Sequence, residues 1–593
     1  MGPVRAFRLT ADSVIAHFPL LKSTAVIPHN DMERLSSCAE FRTLTEHAEN
    51  IVRQFGPSLD TGEVRAWLAG LAASGVLVSD ADFGALPTSG TASSRSSGGQ
   101  VDWLVVPTCN RPEGLLAAIR SYAGNFRAHG RSARIFVSDQ SSVLDGKTRE
   151  MRSGLATFAA ESGFEVFYAD APQKQAFAEA LCSDGSLPPE TVRFALFGRA
   201  DVSANIGANR NATLLQTLGH LVVSADDDTL CETARAPGTG KEIRFSGETV
   251  SAEAWFFGER SEVFAFAGPS ATDFLAEHER LLGRSVGNIF RDAGANGGTR
   301  LGTACHHMLD YLCCGGGQVL STYAGLAGDA GIYSVFPLLV HPSAATRNRL
   351  RASPEAYAQN VQSREIVCQA LCATVGHGRG AAGLAACIGL DNRELLPPFF
   401  PPFRGEDGIF AHMISRCRES SCFAHLPFTV RHARPQRTSY GNVLTVRMAD
   451  LIHGALGSCP ASIAETPAER LTRMGKFLSF LGARDDNQFQ DWVQSVVLGR
   501  ASSIAQHAQS ALSRDRRYPE YWAKDVAGII ERISQVVTDP DYIVPDEVRD
   551  CGGLRTAKEV VRQFGELTYW WPAIVERTKV LAESGVAIGV RPG

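Results

Sequence analysis

Residues 101–122 read VDWLVVPTCNRPEGLLAAIRSY, and their reading sets the fold class. VDWLVVP has the apolar density of a strand buried on both faces. Pro112 then stands near the start of a helix, where its fixed φ and missing N–H do no harm. Leu115, Leu116, Ile119 and Tyr122 recur along one face of that helix. ARIFVSD, residues 133–139, supplies a second strand and completes a βαβ unit. Further on, FEVFYAD (164–170) reads as a strand, NIGANRNATLLQTLG (205–219) as a helix stopped by Gly219, and LVVSADDD (221–228) as another strand. Strands alternating with helices predict an α/β fold with a mostly parallel sheet flanked by helices, whose ligands bind outside the carboxyl ends of the strands. Asp226, Asp227 and Asp228 lie at such an end. Adjacent carboxylates repel and must be solvated or neutralised, so the cluster is either a solvated strand-to-turn junction or the seat of something positive.

The bulk properties narrow the function classes. A chain of 593 residues is long for one core, and roughly two to four domains is the prior. Its 58 Lys and Arg against 63 Asp and Glu give a net charge of -5, with no sustained basic run of the kind that binds nucleic acid. No apolar run approaches the roughly 20 residues of a membrane span, and the first residues lack the apolar stretch of a secretory signal. A cytoplasmic protein is expected. The 14 cysteines show no disulfide framework, and the pairs Cys313 with Cys314 and Cys417 with Cys422 lack the spacing of a zinc site.

Composition also suggests boundaries. Residues 85–100, ALPTSGTASSRSSGGQ, are small, polar and aperiodic, which suits a flexible linker. Upstream, TLTEHAENIVRQF (43–55) and TGEVRAWLAGLAASGVLVS (61–79) give two helical periodicities and a short apolar strand, so residues 1–84 are expected to form a small winged-helix-like α+β module. Without a basic face it suits peptide or protein docking, or a plain structural appendage, rather than DNA. Residues 101–440 form the α/β domain. Residues 441–593 read as helical, with RLTRMGKFLSFLG and YWAKDVAGIIERISQVV as amphipathic stretches. Tyr569, Trp570 and Trp571 read as core or interface.

Taken in order and at their spacing, VVPTCNRPEGL, FVSDQSS, GANRNATL and SADDDT resemble the start of nucleotide-sugar-dependent glycosyltransferases of the GT-A fold, in particular the inverting enzymes of the family-2 type. The resemblance continues through FRGEDGIF (403–410), similar to the xED element of that family, and LPFTVRHARP (426–435), which offers its late histidine. It covers roughly residues 101–440 and implies a donor that is a nucleoside-diphosphate sugar, a UDP-sugar foremost, with Mn²⁺ or Mg²⁺ as cofactor. Asp228 and His432 would hold the metal, and Asp226 would face the ribose or the metal. Asp227 stays ambiguous because ADDDT allows a register of one either way, and His412 and His425 compete with His432.

Asp407 would be the catalytic base, since a hydroxyl is a poor nucleophile until its proton is taken. Glu406 would hydrogen-bond the acceptor, and the plain alternative for both is an acidic helix start. Thr108, Arg111 and Asp139 match positions that contact base or ribose, while Arg210 and Asn211, in the first turn of a helix, suit a diphosphate. Asn205 reads as that helix's cap. The glycines of CCGGGQVLSTYAGLAGDAGIYS (313–334) would let backbone approach a sugar or form a plain loop.

Two stretches, 232–264 and 271–301, exceed what a minimal domain needs, so the acceptor is not carried over: peptide, glycan and small molecule all remain open. The competing functions are a nucleotidyltransferase of related fold, which would want a basic phosphate loop absent from PTCNRPEG, and a non-catalytic docking protein.

Overall fold

The computed structural model describes all residues except 39–40, 57, 86–97, 142–145, 203, 248–251, 297, 379–385, 435–438, 461–464, 515–517 and 593. Most of the expected linker therefore lies outside the described residues. The chain opens with a three-stranded antiparallel sheet in the order β1 (Arg5–Arg8), β2 (Ser13–Phe18), β3 (Ser23–Pro28). Helices His29–Ser36, Leu44–Phe55 and Thr61–Ala73 follow. The two periodicities are helices, with Thr43 and Glu46 forming a capping box at the first. The strand expected after the second is absent. Gly75, at φ 79°, ends that helix: Gly75 N–H bonds to Ala72 O and Val76 N–H to Leu71 O, each at 3.0 Å. Val76 and Leu77 fold back onto the module's own core.

The second sheet has thirteen strands: β4 (Val101–Thr108), β5 (Arg134–Asp139), β6 (Val166–Ala169), β7 (Leu221–Ala225), β8 (Thr229–Ala234), β9 (Ile243–Ser246), β10 (Glu253–Phe256), β11 (Thr299–Thr303), β12 (Gln318–Asp329), β13 (Glu365–Gln369), β14 (Ala373–His377), β15 (Cys387–Asp391) and β16 (Ser421–His432). Its main path runs β11-β9-β14-β16-β12-β15-β7-β4-β5-β6. The strands read from the sequence form its parallel half, β7-β4-β5-β6. Beyond β7, antiparallel β15 and β12 make the sheet mixed. β4 is buried on both faces as its composition requires. Trp103 and Val105 enter one apolar cluster, Leu104 and Val106 the other.

The stretch 313–334 is a correction. Residues 318–329 form the buried strand β12 rather than a loop. Its glycines serve strand packing: a Cβ at Gly328 would stand 2.3 Å from His432 O, and one at Gly325 2.5 Å from Cys368 O.

The C-terminal helices close over one face of this sheet. Leu471, Met474, Phe564 and Trp571 share a cluster with Trp103, Phe136, Val222, Phe399 and Phe400. Helices Pro467–Ala483 and Leu554–Glu583 cross where Gly475 and Gly565 leave no room for a Cβ. Trp571 is core, its Nε1–H donating to Leu396 O at 2.8 Å, while Tyr569 and Trp570 are half-buried at the surface. At the sheet's edge Val590 exchanges two backbone hydrogen bonds with Tyr168 of β6, which covers an otherwise open strand. Among the described residues no helix is long and apolar enough to cross a membrane.

Candidate functional site

The parallel strands end on one side of the sheet, and the chemistry gathers there. β7 ends at Ala225, and Asp226, Asp227 and Asp228 turn into β8. Thr108 closes β4 beside them and donates its hydroxyl to Asp227 Oδ2 at 2.7 Å. Arg111, in the loop before the helix Pro112–Ala128, spans two of the three carboxylates: Nη1 lies 2.9 Å from Asp227 Oδ1 and 2.8 Å from Asp228 Oδ2. Arg210 takes the third, donating to Asp226 Oδ1 at 2.7 Å. The acidic cluster is thus neutralised by protein cations.

Each carboxyl answers differently. Burial pushes Asp227 up to about 6, against the pull of Arg111 and Thr108. Burial also opposes ionisation of Asp228, but His432 and Arg111 outweigh it and hold that carboxyl well below the ordinary range.

His432 ends β16 with its Nε2 3.5 Å from Asp228 Oδ1. Its Nδ1 lies 2.8 Å from Asp329 O; a carbonyl only accepts, so Nδ1 carries the hydrogen and Nε2 faces Asp228. Asp329 is itself fixed by Arg364, at 2.9 and 3.0 Å, in a fully buried ion pair. His412 instead stacks on His453, and His425 lines the cavity. Of the three histidines, His432 is the one beside the aspartates.

Glu406 and Asp407 open the helix Glu406–Cys417. The segment before their helix presses on the helix Ile206–Gln216, where the backbone of Phe400 and Pro401 leaves no room for a Cβ at Gly207. Asp407 Oδ1 accepts the N–H of Gly408 at 2.8 Å. Glu406 is buried, 3.4 Å from Arg210 Nε, and burial together with the charge of Asp407 raises its carboxyl to about 7. Both acids, Arg210, Asp226 and His432 line a cavity of about 550 Å³.

The remaining expected site residues are turned inward. Asn211 donates to Ala195 O and Phe399 O and accepts from Phe399 N–H, pinning the segment before Glu406. Asp139 accepts Ser141 N–H, Ser141 Oγ–H and Tyr168 O–H. Asn205 is not a side-chain cap. It bonds back to Arg199 and Val202, and the helix start has no side-chain acceptor. Lys174, held down to about 8 by burial, ties Asp139 O to Asn209 Oδ1 at 2.9 and 2.8 Å.

Four residues that the sequence reading left out also build the site. Arg404 and Arg434 line the cavity and stand inside the quoted motifs, two positions before Glu406 and two after His432. Asp329 and Arg364 carry no local signal, because the two residues lie 35 positions apart in the chain.

Among the described residues no group of three or more His, Cys, Asp or Glu side chains is arranged to hold a metal ion. Asp228 and His432 form a two-residue donor set that suits a divalent ion completed by substrate phosphate oxygens and water. Compared with protein-family models and with curated proteins, the sequence matches none.

The buried acid yields a stability prediction. Glu406 ionises near its ordinary 4.5 in the unfolded chain and at about 7 in the folded one. The folded state therefore gains from the neutral acid below 4.5 and loses that gain as pH rises through 7. Glu406→Gln carries no charge to bury, so its melting temperature relative to wild type should be flat below pH 4.5, climb between 4.5 and 7, and level off above. The total change expected is on the order of 1–3 kcal/mol. A pH-independent offset in paired thermal melts would refute the raised acid.

Proposed function

We propose that the protein is a metal-dependent, inverting glycosyltransferase that moves a sugar from a nucleoside-diphosphate donor to an acceptor hydroxyl. The observation that carries this reading is the convergence on one cavity of Asp226 with the adjoining Asp228–His432 pair and of the acidic helix start Glu406–Asp407. A donor with a charged leaving group and an acceptor with a weakly acidic hydroxyl need these two kinds of group on opposite sides of the reacting carbon.

Asp228 and His432 would hold Mn²⁺ or Mg²⁺, which when bound supplies positive charge to the leaving diphosphate. Arg210, fixed between Asp226 and Glu406, orients both acids. Asp407 accepts the acceptor's proton as its oxygen attacks the anomeric carbon. The bond to the diphosphate breaks on the opposite face, which inverts that centre, and the proton stays on the Asp407 carboxyl. Glu406, protonated below about 7, donates a hydrogen bond to the acceptor or to Asp407.

The testing experiment is a binding screen of the purified chain against UDP-, GDP- and dTDP-sugars, with and without Mn²⁺, followed by assay for released nucleoside diphosphate. Metal-dependent binding of one nucleotide class is expected. A folded protein that binds none of them would overturn the reading in favour of a docking function.

A further inference from the structure

Beside the carboxylates the cavity presents arginines that the transfer chemistry leaves unused. Arg404 lies between two residues in left-handed conformations, Phe403 at φ 67° and Gly405 at φ 94°. For phenylalanine that conformation is unfavourable and persists only where the surroundings impose it. They do: Phe403 N–H bonds to Ala204 O at 2.7 Å, and Arg447 Nη2 donates to Arg404 O at 2.9 Å. Arg447 is held in turn by Glu547 and lies over the ring of Tyr333. This strained, pinned backbone sets Arg404 at the cavity, where its guanidinium has no hydrogen-bond or ion-pair partner among the described residues. Arg434 lines the same cavity, and its nearest carboxylate, Asp228, is 3.9 Å away. Arg404 as a whole stays exposed to solvent; partial desolvation of its guanidinium and then the charge of Arg434 hold it below its ordinary value, as expected of cations gathered without enough counter-charge. The same cavity is also lined by Leu326, Ile332, Tyr333, Leu338 and Pro342.

We propose that Arg404 and Arg434 form an anion subsite for a carboxylate or phosphate carried by the group that approaches Asp407, additional to the donor's diphosphate. The proposal rests on the transferase reading and deepens it: the substrate is acidic at this point, with an apolar or ring-shaped body against the apolar part of the lining. Two sources share that chemistry, an acidic sugar on the donor and an acidic acceptor. Guanidinium suits either, because its planar fork matches a carboxylate or phosphate edge.

The test fills the donor side with Mn²⁺ and inorganic pyrophosphate, then titrates D-glucuronate, D-glucose and glutarate by calorimetry, and repeats the titrations without pyrophosphate. Wild type should bind at least one acid about ten-fold or more tightly than glucose. Arg404→Gln should fall to the level of glucose, and Arg404→Lys should keep part of the gain, with melting temperatures confirming that each variant folds. Preference for glucuronate assigns the charge to the transferred sugar; glutarate binding as well or better assigns it to the acceptor. Equal binding of acids and glucose would overturn the subsite. So would a loss of pyrophosphate binding in Arg404→Gln, which assigns that arginine to the diphosphate. Failure of pyrophosphate and Mn²⁺ to bind folded wild type would count against the transferase reading alone, since the titrations without pyrophosphate still read the arginine pair.

Discussion

Replacing Asp407 by Asn is expected to lower sugar transfer by roughly 10²-fold or more, the scale of a positioned general base, while donor binding stays within about two-fold. The substitution preserves the helix start. Asp407 Oδ1 accepts the N–H of Gly408 at the helix start, and an amide oxygen accepts the same bond, so the helix keeps its first turn. What disappears is the capacity to take a proton. Glu406 is a poor substitute, because it is buried against Arg210 and held protonated up to about 7. The measurement is kcat and donor Kd for wild type and variant on the nucleotide-sugar that the screen identifies. Transfer that survives undiminished would move the base elsewhere, and loss of donor binding in step with kcat would make Asp407 part of the donor site instead.

The parts of this arrangement that the sequence exposes are those with a local cause. The helix Pro112–Ala128 and the strands around it are legible because apolar spacing, a proline at the start and glycine stops are properties of short segments. The aspartate turn and the Glu406–Asp407 helix start are legible for the same reason. Strands β1 and β3 escaped because RAFR and STAVIP are short and exposed along almost their whole length, leaving little alternation to read, whereas β2, SVIAHF, buries every second residue and its alternation was legible. β12 was hidden by its glycines, which look like loop until their neighbours are known: Gly328 is there because His432 O comes too close for a side chain.

The C-terminal helices show a different limit. Their amphipathic faces are evident, but periodicity does not state the partner. That Phe564 and Trp571 pack with Phe399 and Phe400 against the sheet is a fact of three-dimensional closure. Asp139 and Asn211 illustrate the converse. Their residue types and positions suit ligand contacts, whereas their polar atoms are engaged with Ser141, Tyr168 and the Phe399 backbone, a use that no spacing reveals.

The second large effect is expected at Asp228. His432 donates its Nδ1 hydrogen to Asp329 O, so a neutral ring turns the lone pair of Nε2 toward a carboxylate oxygen 3.5 Å away. Burial opposes protonation of that ring, but Asp228 outweighs it and raises its pKa above the ordinary value, so without a metal a proton on Nε2 meets that oxygen, while Arg111 reaches only the other one. In the proposed reading a divalent ion would take that proton's place between the two atoms, and the buried Asp329–Arg364 pair behind the ring is the kind of outer support that holds a ligating histidine in place. Asp228→Ala should therefore weaken Mn²⁺-dependent donor binding by at least the roughly 10- to 100-fold that loss of an outer partner alone costs. Mn²⁺ affinity is read by electron paramagnetic resonance with and without nucleotide. Asp228→Asn, nearly isosteric, separates lost charge from lost fold and should weaken binding similarly. If both variants bind the donor as wild type does, and chelator leaves wild-type binding unchanged, then Arg111 rather than a metal is the cation these carboxylates were assembled to hold, and the donor's charge must be met by arginine alone.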